Sequence, residues 1–266
     1  MAHKTTTLLL TALATTAVGL GANATTKAET DFARIERLTA DSAITVLKQK
    51  LDSAQATGRK GYESYLKEAE SALASPESPV HSEQMWIEVL RHQCASPLIK
   101  GADKARPEYL LNDAKKNMIG TQATDIDLML KDGSTTTLSK IASGDNRLTL
   151  LYFTNPDCEA CQLAKGRIAE SPVISRMVAE GTLKVVAVYP LDDEQLWSRT
   201  QMPPTVIDTW NSTQSIEADE TYVLPSMPLF YLLDSKMTVI MKNEASLKRM
   251  EQALLKAANA GNCSTE

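Results

Sequence analysis

Apolar positions recur at helical spacing from about residue 31 to residue 118, and the pattern changes character after that. Ala43, Ile44, Val46, Leu47 and Leu51 share one side of a helix, behind Thr39 and Asp41, either of which can cap its start. Gly58 and Gly61 interrupt this run, and Tyr62, Tyr65, Leu66, Ala69 and Leu73 form a second stripe. Pro76 and Pro79 punctuate again before Ser82, which caps a third helix carrying Met85, Trp86, Val89 and Leu90. A fourth helix is predicted to open at Pro107, a residue suited to a first helical turn, with Leu110, Leu111, Ala114 and Met118 on its face. This half reads as a small all-α domain whose aromatic stripes are core.

Near Gly120 the period shortens. Ile126 to Leu130 alternates, Lys131-Asp-Gly-Ser supplies a turn, and Thr135 to Leu138 returns as a partner strand. Leu148 to Phe153 is apolar without alternation, as a central strand covered on both faces requires. A helix from Cys158 and another from Pro172 to Ala179 follow, Gly181 ends them, and Leu183 to Tyr189 is the next buried strand. Two such strands around a helical crossover imply a parallel βαβ unit. Asp192 to Thr200 reads as a helix, and Pro203-Pro204 with Trp210-Asn-Ser reads as a long irregular connection. Leu229–Leu233 and Thr238–Met241 are short strands about the turn Asp234-Ser-Lys, and Glu244 to Ala258 is an amphipathic helix. The fold class is therefore α/β, a mixed central sheet flanked by helices, preceded by a small all-α domain.

The first residues read as a targeting segment and not as fold. Lys4 gives a short basic start, Thr7 to Gly21 is apolar and uncharged, and Ala22-Asn-Ala24 offers small residues for a signal peptidase. Cleavage after about Ala24 and export to the periplasm are expected; a retained N-terminal anchor is the alternative. No cysteine stands near that site to take a lipid. The boundaries read as 1–24 signal peptide, 25–118 helical domain, 119–260 α/β domain and 261–266 polar tail. A net charge of −5 and a pI near 5.4 argue against a nucleic-acid partner, and nothing in the pattern demands more than a monomer.

Four cysteines are too few for a disulfide framework at this size. Cys158 and Cys161 enclose Glu159-Ala160 where an apolar strand ends in a short turn and a helix begins. That spacing closes a small disulfide ring, and the helix N-terminus favours a thiolate at the first cysteine. A structural zinc site wants four thiolate or imidazole ligands, but beyond the leader only His81 and His92 remain, with Cys94 and Cys263 scattered. Redox chemistry is the better reading. Cys94 and Cys263 either pair or stand as a buried residue and a free thiol. A peroxidase would need Ser or Thr at position 155 and Pro at position 151, where this chain has Asn155 and Leu151. Pro228, about seventy residues after the cysteine pair at the entrance of a strand, occupies a place resembling the cis-proline loop of thioredoxins, where a cis peptide would turn the backbone of Met227 toward the sulfurs; an ordinary trans proline starting an edge strand is the alternative.

The hairpin, βαβ and ββα order is that of a thioredoxin fold. Gly120-x-x-Ala-x-Asp-x-x-Leu, Lys131-Asp-Gly, the strand before Cys158, Val185-Val-Ala-Val and Met227-Pro-Leu-Phe-Tyr-Leu-Leu-Asp resemble the TlpA/ResA branch of thioredoxin-like proteins. Ser78-Pro-Val-His-Ser-Glu-Gln-Met-Trp, Phe153-Thr-Asn-Pro-Asp-Cys, Val188-Tyr-Pro and Tyr231-Leu-Leu-Asp resemble a family of uncharacterised secreted bacterial proteins. These carry a helical domain of unknown function ahead of the thioredoxin fold.

The resemblance implies a thiol–disulfide oxidoreductase. Cys158 would be the nucleophile, Cys161 the resolving thiol, and Pro228 with Met227 the docking loop. Protein disulfides would be the substrates, a membrane or soluble thiol carrier the reductant, and no dissociable cofactor is required. The chain departs from the family pattern at Asp157 and Glu159, which replace the usual tryptophan and the glycine or proline after the first cysteine. These carboxylates oppose a thiolate by like-charge repulsion while the helix dipole favours it, which suggests a couple that reduces or isomerises. Tyr152 stands where thioredoxins keep a strand carboxylate. Asp192, Asp193 or Glu194 occupies the neighbourhood where TlpA-like proteins place a proton-handling acid. A different class remains open: a non-enzymatic binding or adaptor protein of the cell envelope whose cysteine pair is vestigial or structural.

Overall fold

The computed structural model describes residues 32–35 and 37–262 of the chain, with side chains described up to residue 259. The expected leader and its cleavage site, as well as Cys263, lie outside the described residues.

Three helices, α1 (Ala40–Ala56), α2 (Arg59–Leu73) and α3 (Glu83–Ala95), pack with a fourth, α4 (Ala105–Ala114), around one apolar core. Leu47, Leu51, Tyr62, Leu73, Val89 and Leu90 are fully enclosed there. The α1 stripe is buried at Ala43, Leu47 and Leu51, the i, i+4, i+8 positions of one face. Thr39 stands at the start of α1, but its hydroxyl bonds the Ser42 hydroxyl and not a backbone amide. Ser82 does cap α3, accepting from the Met85 amide. Two expectations shift. Gly61 lies inside α2, and the break is at Gly58, whose φ of +91° only glycine adopts readily. The fourth helix opens at Ala105 after a 3-10 turn (Gly101–Lys104), so Pro107 falls in its first turn.

The second unit is built on seven strands: β1 (Asp127–Leu130), β2 (Thr135–Thr137), β3 (Leu148–Phe153), β4 (Leu183–Tyr189), β5 (Val206–Trp210), β6 (Leu229–Asp234) and β7 (Val239–Glu244). Their order across the sheet is β2-β1-β5-β4-β3-β6-β7. β3, β4 and β5 run parallel, while β1 is antiparallel to β5 and β6 to β3. This mixed sheet is a thioredoxin-like fold preceded by the helical domain. Every residue of β3 is buried, because its two faces meet two different cores. Leu148, Leu150 and Tyr152 face α6 (Glu159–Glu170), α7 (Pro172–Ala179) and α10 (Leu247–Asn262). Leu151 and Phe153 face the opposite layer with Leu138, Ile216 and Tyr222, which come from α5 (Leu138–Ala142), α9 (Ser215–Ala218) and the segment after it.

The segment read as an irregular connection contains a strand, β5. Asp208 breaks its apolar run in the sequence. In the fold that carboxylate accepts from the Trp197 indole at 2.9 Å and pairs with Lys131 at 3.2 Å, so a polar residue is tolerated within the sheet. Trp197 lies on α8 (Glu194–Arg199). The final helix begins at Leu247 and not at Glu244, because Glu244 ends β7 and is buried against Arg249.

The two units meet through a polar seam. Lys242, 2% exposed at its side chain, pairs with Glu83 of α3 at 2.9 Å and donates to the carbonyls of Ala114 and Lys116. It thereby closes the C-terminus of α4, where carbonyls lack helical partners. Arg249 binds Glu244 and donates to the carbonyls of Pro76 and Ser78, in the loop between α2 and α3. The Lys242 ammonium finds three acceptors for its three hydrogens, and each nitrogen of the Arg249 guanidinium finds at least one.

Candidate active site

The apolar strand β3 ends at Phe153, and the chain turns before α6 through Thr154-Asn-Pro-Asp. The Asn155 carboxamide accepts from the Asp157 amide at 3.0 Å, and the Asn155 carbonyl accepts from the Cys158 amide at 3.1 Å. This Asx turn delivers Cys158 to the N-cap position of α6. There its sulfur accepts from the Cys161 amide at 3.3 Å, as a capping oxygen would. The N-terminal amides and dipole of α6 thus point at this sulfur.

The Met227–Pro228 peptide is cis. The Met227 carbonyl lies on the other side of the same sulfur, 3.5 Å from Cys158 Sγ. Cys158 is half-buried and Cys161 is 1% exposed. Both are free thiols. Burial, reinforced by the hydrogen bond to Cys158, pushes the Cys161 thiol up to about 12. One sulfur is thus accessible at a helix terminus and the other is held protonated inside.

Tyr152, where a strand carboxylate was absent from the sequence, is fully buried and stacked on Phe230 with ring centroids 5.3 Å apart. Its hydroxyl donates to the Cys161 carbonyl at 2.5 Å. Tyr152 therefore anchors the first turn of α6 and takes no proton from the thiol: burial drives its own ionisation well above the ordinary phenol range. Asp157 and Glu159 are exposed on the turn and the first residue of the helix. Asp192, Asp193 and Glu194 are exposed too, and the Asp193 carboxylate caps α8 by accepting from the Leu196 amide at 2.8 Å. Besides burial, the neighbours that shift the Cys161 thiol are Cys158, Asn155 and Thr154.

Beside Met227 the surface opens into a groove of about 370 Å³. One wall is the helical domain, through Tyr109 and Asp113 of α4; the other comprises Leu191, after β4, and Glu217 of α9. Sequence reasoning missed this groove. Tyr109 belongs to no apolar stripe, and its 57% exposure is its only signal. Cys94 is half-buried, and burial pushes its thiol up.

A family model, a domain of unknown function (DUF5106), matches residues 13–117. A thioredoxin-like protein from Bacteroides caccae is 26% identical in sequence, superimposes with a TM-score of 0.80, and is matched over 88% of this chain and 84% of its own. The C-terminal domain of an uncharacterised protein from Bacteroides fragilis is 31% identical over 53% of this chain and 99% of its own, with a TM-score of 0.49. A conserved protein of unknown function from the same species is 30% identical over 52% of this chain and 98% of its own, at a TM-score of 0.48. No curated protein matches the chain.

Proposed function

We propose that this thioredoxin-like chain, a helical domain of unknown function followed by a thioredoxin fold, is an exported thiol–disulfide oxidoreductase that reduces or isomerises protein disulfides. One observation carries the reading: Cys158 Sγ sits between the N-terminus of α6 and the Met227 carbonyl, accessible, with Cys161 buried one helical turn away.

The chemistry follows from that asymmetry. Cys158 attacks one sulfur of the substrate disulfide as a thiolate. A Cys158–substrate bond forms, the substrate S–S bond breaks, and the departing substrate thiolate takes a proton from water. Cys161 then loses its proton to solvent and attacks Cys158 Sγ. The second substrate thiolate leaves and is protonated. Two electrons have passed to the substrate, and the Cys158–Cys161 pair is a disulfide. An external dithiol carrier restores it. Pro228 and Met227 shape the loop against which the substrate backbone lies, and Asp157 and Glu159 border it.

Trapping tests the reading. Cys161→Ala removes the resolving thiol, so partner proteins should accumulate on Cys158 as mixed disulfides that reductant releases. Cys158→Ser should trap none. If the alanine variant captures nothing and the wild-type pair resists dithiol reductants, the cysteine pair is structural and the adaptor reading replaces this one.

A further inference from the structure

The groove beside Met227 belongs to both domains. Tyr109 and Asp113 come from α4, while Leu191, Glu217, Glu220 and Met227 come from the thioredoxin fold. Its far wall is held in place by the helical domain's own continuation. Asn117 donates to the Thr221 carbonyl at 2.9 Å and accepts from the Thr124 amide at 2.7 Å, and the Tyr222 hydroxyl donates to the Thr124 carbonyl at 2.7 Å. The segment bearing Glu217 and Glu220 is thus fastened to the chain leaving α4.

Its chemistry is mixed. The floor is mainly apolar, and Tyr109 and Leu191 stand exposed at its edges. Lys116 bridges Asp113 at 3.0 Å and Glu220 at 2.7 Å, so the three carboxylates of the groove outnumber this cation. Asp157, Asp192 and Asp193 lie close enough to raise the ionisation of the buried Tyr189 hydroxyl, after burial itself, so the surface on the Cys158 side is acidic as well. The groove begins at Met227, whose carbonyl is 3.5 Å from Cys158 Sγ. A peptide bound there would have its cysteine brought toward the sulfur.

We propose that the helical domain selects substrates: Tyr109 and Asp113 complete a groove for an extended polypeptide whose disulfide cysteine is flanked by an apolar and a basic side chain. The apolar side chain packs between Tyr109 and Leu191, and the basic one meets Glu217. This rests on the redox reading above and adds to it a substrate class and a role for the first domain.

Single-turnover reduction by the pre-reduced protein tests it with three probes. These are a peptide disulfide with leucine and lysine beside the cysteine, the same peptide with glutamate for lysine, and neutral bis(2-hydroxyethyl) disulfide. The lysine peptide should be reduced about tenfold faster than the glutamate peptide at low salt, and the gap should shrink as salt rises. Glu217→Lys should reverse that order. Tyr109→Ala should raise the half-saturating concentration of the lysine peptide about fivefold with its limiting rate kept, since a packing contact is lost and not a reacting group. Tyr109 is exposed, so its removal does not threaten folding.

If the neutral disulfide is turned over but the peptides are not told apart, and neither substitution changes this, the groove proposal falls and the redox reading stands. If no probe is reduced, the redox reading itself fails. Saturable binding of the neutral disulfide that Tyr109→Ala weakens as much as it weakens the lysine peptide would make the groove a small-molecule site and overturn the proposal.

Discussion

Cys158 Sγ and the carbonyl oxygen of Met227 lie 3.5 Å apart, although the two residues are 69 positions apart in the chain. The contact joins the end of β3 to the entrance of β6, two adjacent antiparallel strands, so sheet register sets it. In the proposed reaction, a peptide laid along the Met227 backbone would meet the sulfur with its reacting atoms already positioned.

In the proposed mechanism the buried thiol should set the pH dependence of the second step. Burial, which a mixed disulfide on Cys158 leaves in place, holds Cys161 protonated and its ionisation at a raised value. The thiolate fraction below that value rises tenfold per pH unit. Release of a preformed mixed disulfide should therefore accelerate about tenfold per unit between about pH 7 and 10. Stopped-flow measurement of that release checks it; a plateau below pH 9 would mean a local base supplies the thiolate.

Tyr152→Phe should keep the stacking on Phe230 and lose the hydroxyl's 2.5 Å hydrogen bond to the Cys161 carbonyl. The expected loss is about 1 kcal/mol, seen in urea unfolding as a lower midpoint with unchanged slope. A loss above about 3 kcal/mol would show that the hydroxyl also holds the turn before α6 together.

Lys242→Met should destabilise by about 3 kcal/mol, because it strands the buried Glu83 carboxylate and the carbonyls of Ala114 and Lys116. Adding Glu83→Leu should restore part of that loss, since an uncompensated buried charge is the larger cost. Calorimetry of the single and double variants measures the coupling; simple additivity would contradict it.

His81 should make the loop at the domain seam acid-sensitive. It lies in the loop that Arg249 grips, with Nδ1 2.8 Å from the Leu73 carbonyl and Nε2 buried without a partner. Burial holds its ionisation below the usual imidazole range. Glu83 of α3 and Glu244 of β7 oppose this, and Arg249 of α10 adds to it. A lowered value in the folded state means the contribution is full above the unfolded value of about 6.5 and is lost as pH falls through the folded value. The Tm should drop between about pH 7 and 5, and His81→Gln, which takes no proton, should flatten part of that slope. Equal slopes for both proteins would remove His81 from the seam's pH response.

The reading from spacing succeeded where the cause was local. Leu148 to Phe153 announced a strand covered on both faces, and the helical stripes from Ala43 to Ala114 announced their buried sides, because side-chain direction repeats within a few residues. It failed at β5. Asp208 marks that segment as polar until Lys131, from the β1–β2 turn, and Trp197, from α8, reach its carboxylate. Lys242 and Arg249 are charged residues whose partners lie in the other domain, Glu83 for one and the carbonyls of Pro76 and Ser78 for the other, and Glu244 is held by Arg249 within its own domain.

By itself, then, the sequence determined that Cys158 and Cys161 stand at a strand–helix junction, one turn apart, in a sheet with a helical domain before it. Only the tertiary structure decided that Cys161 is sealed from water, that Tyr152 ties the first turn of α6 to its strand, and that Tyr109 of the first domain stands across a groove from Leu191. Spacing along a chain records which side of its own helix or strand a residue occupies. Which distant surface closes over that side follows from how the sheet order and the domain seam bring the elements together.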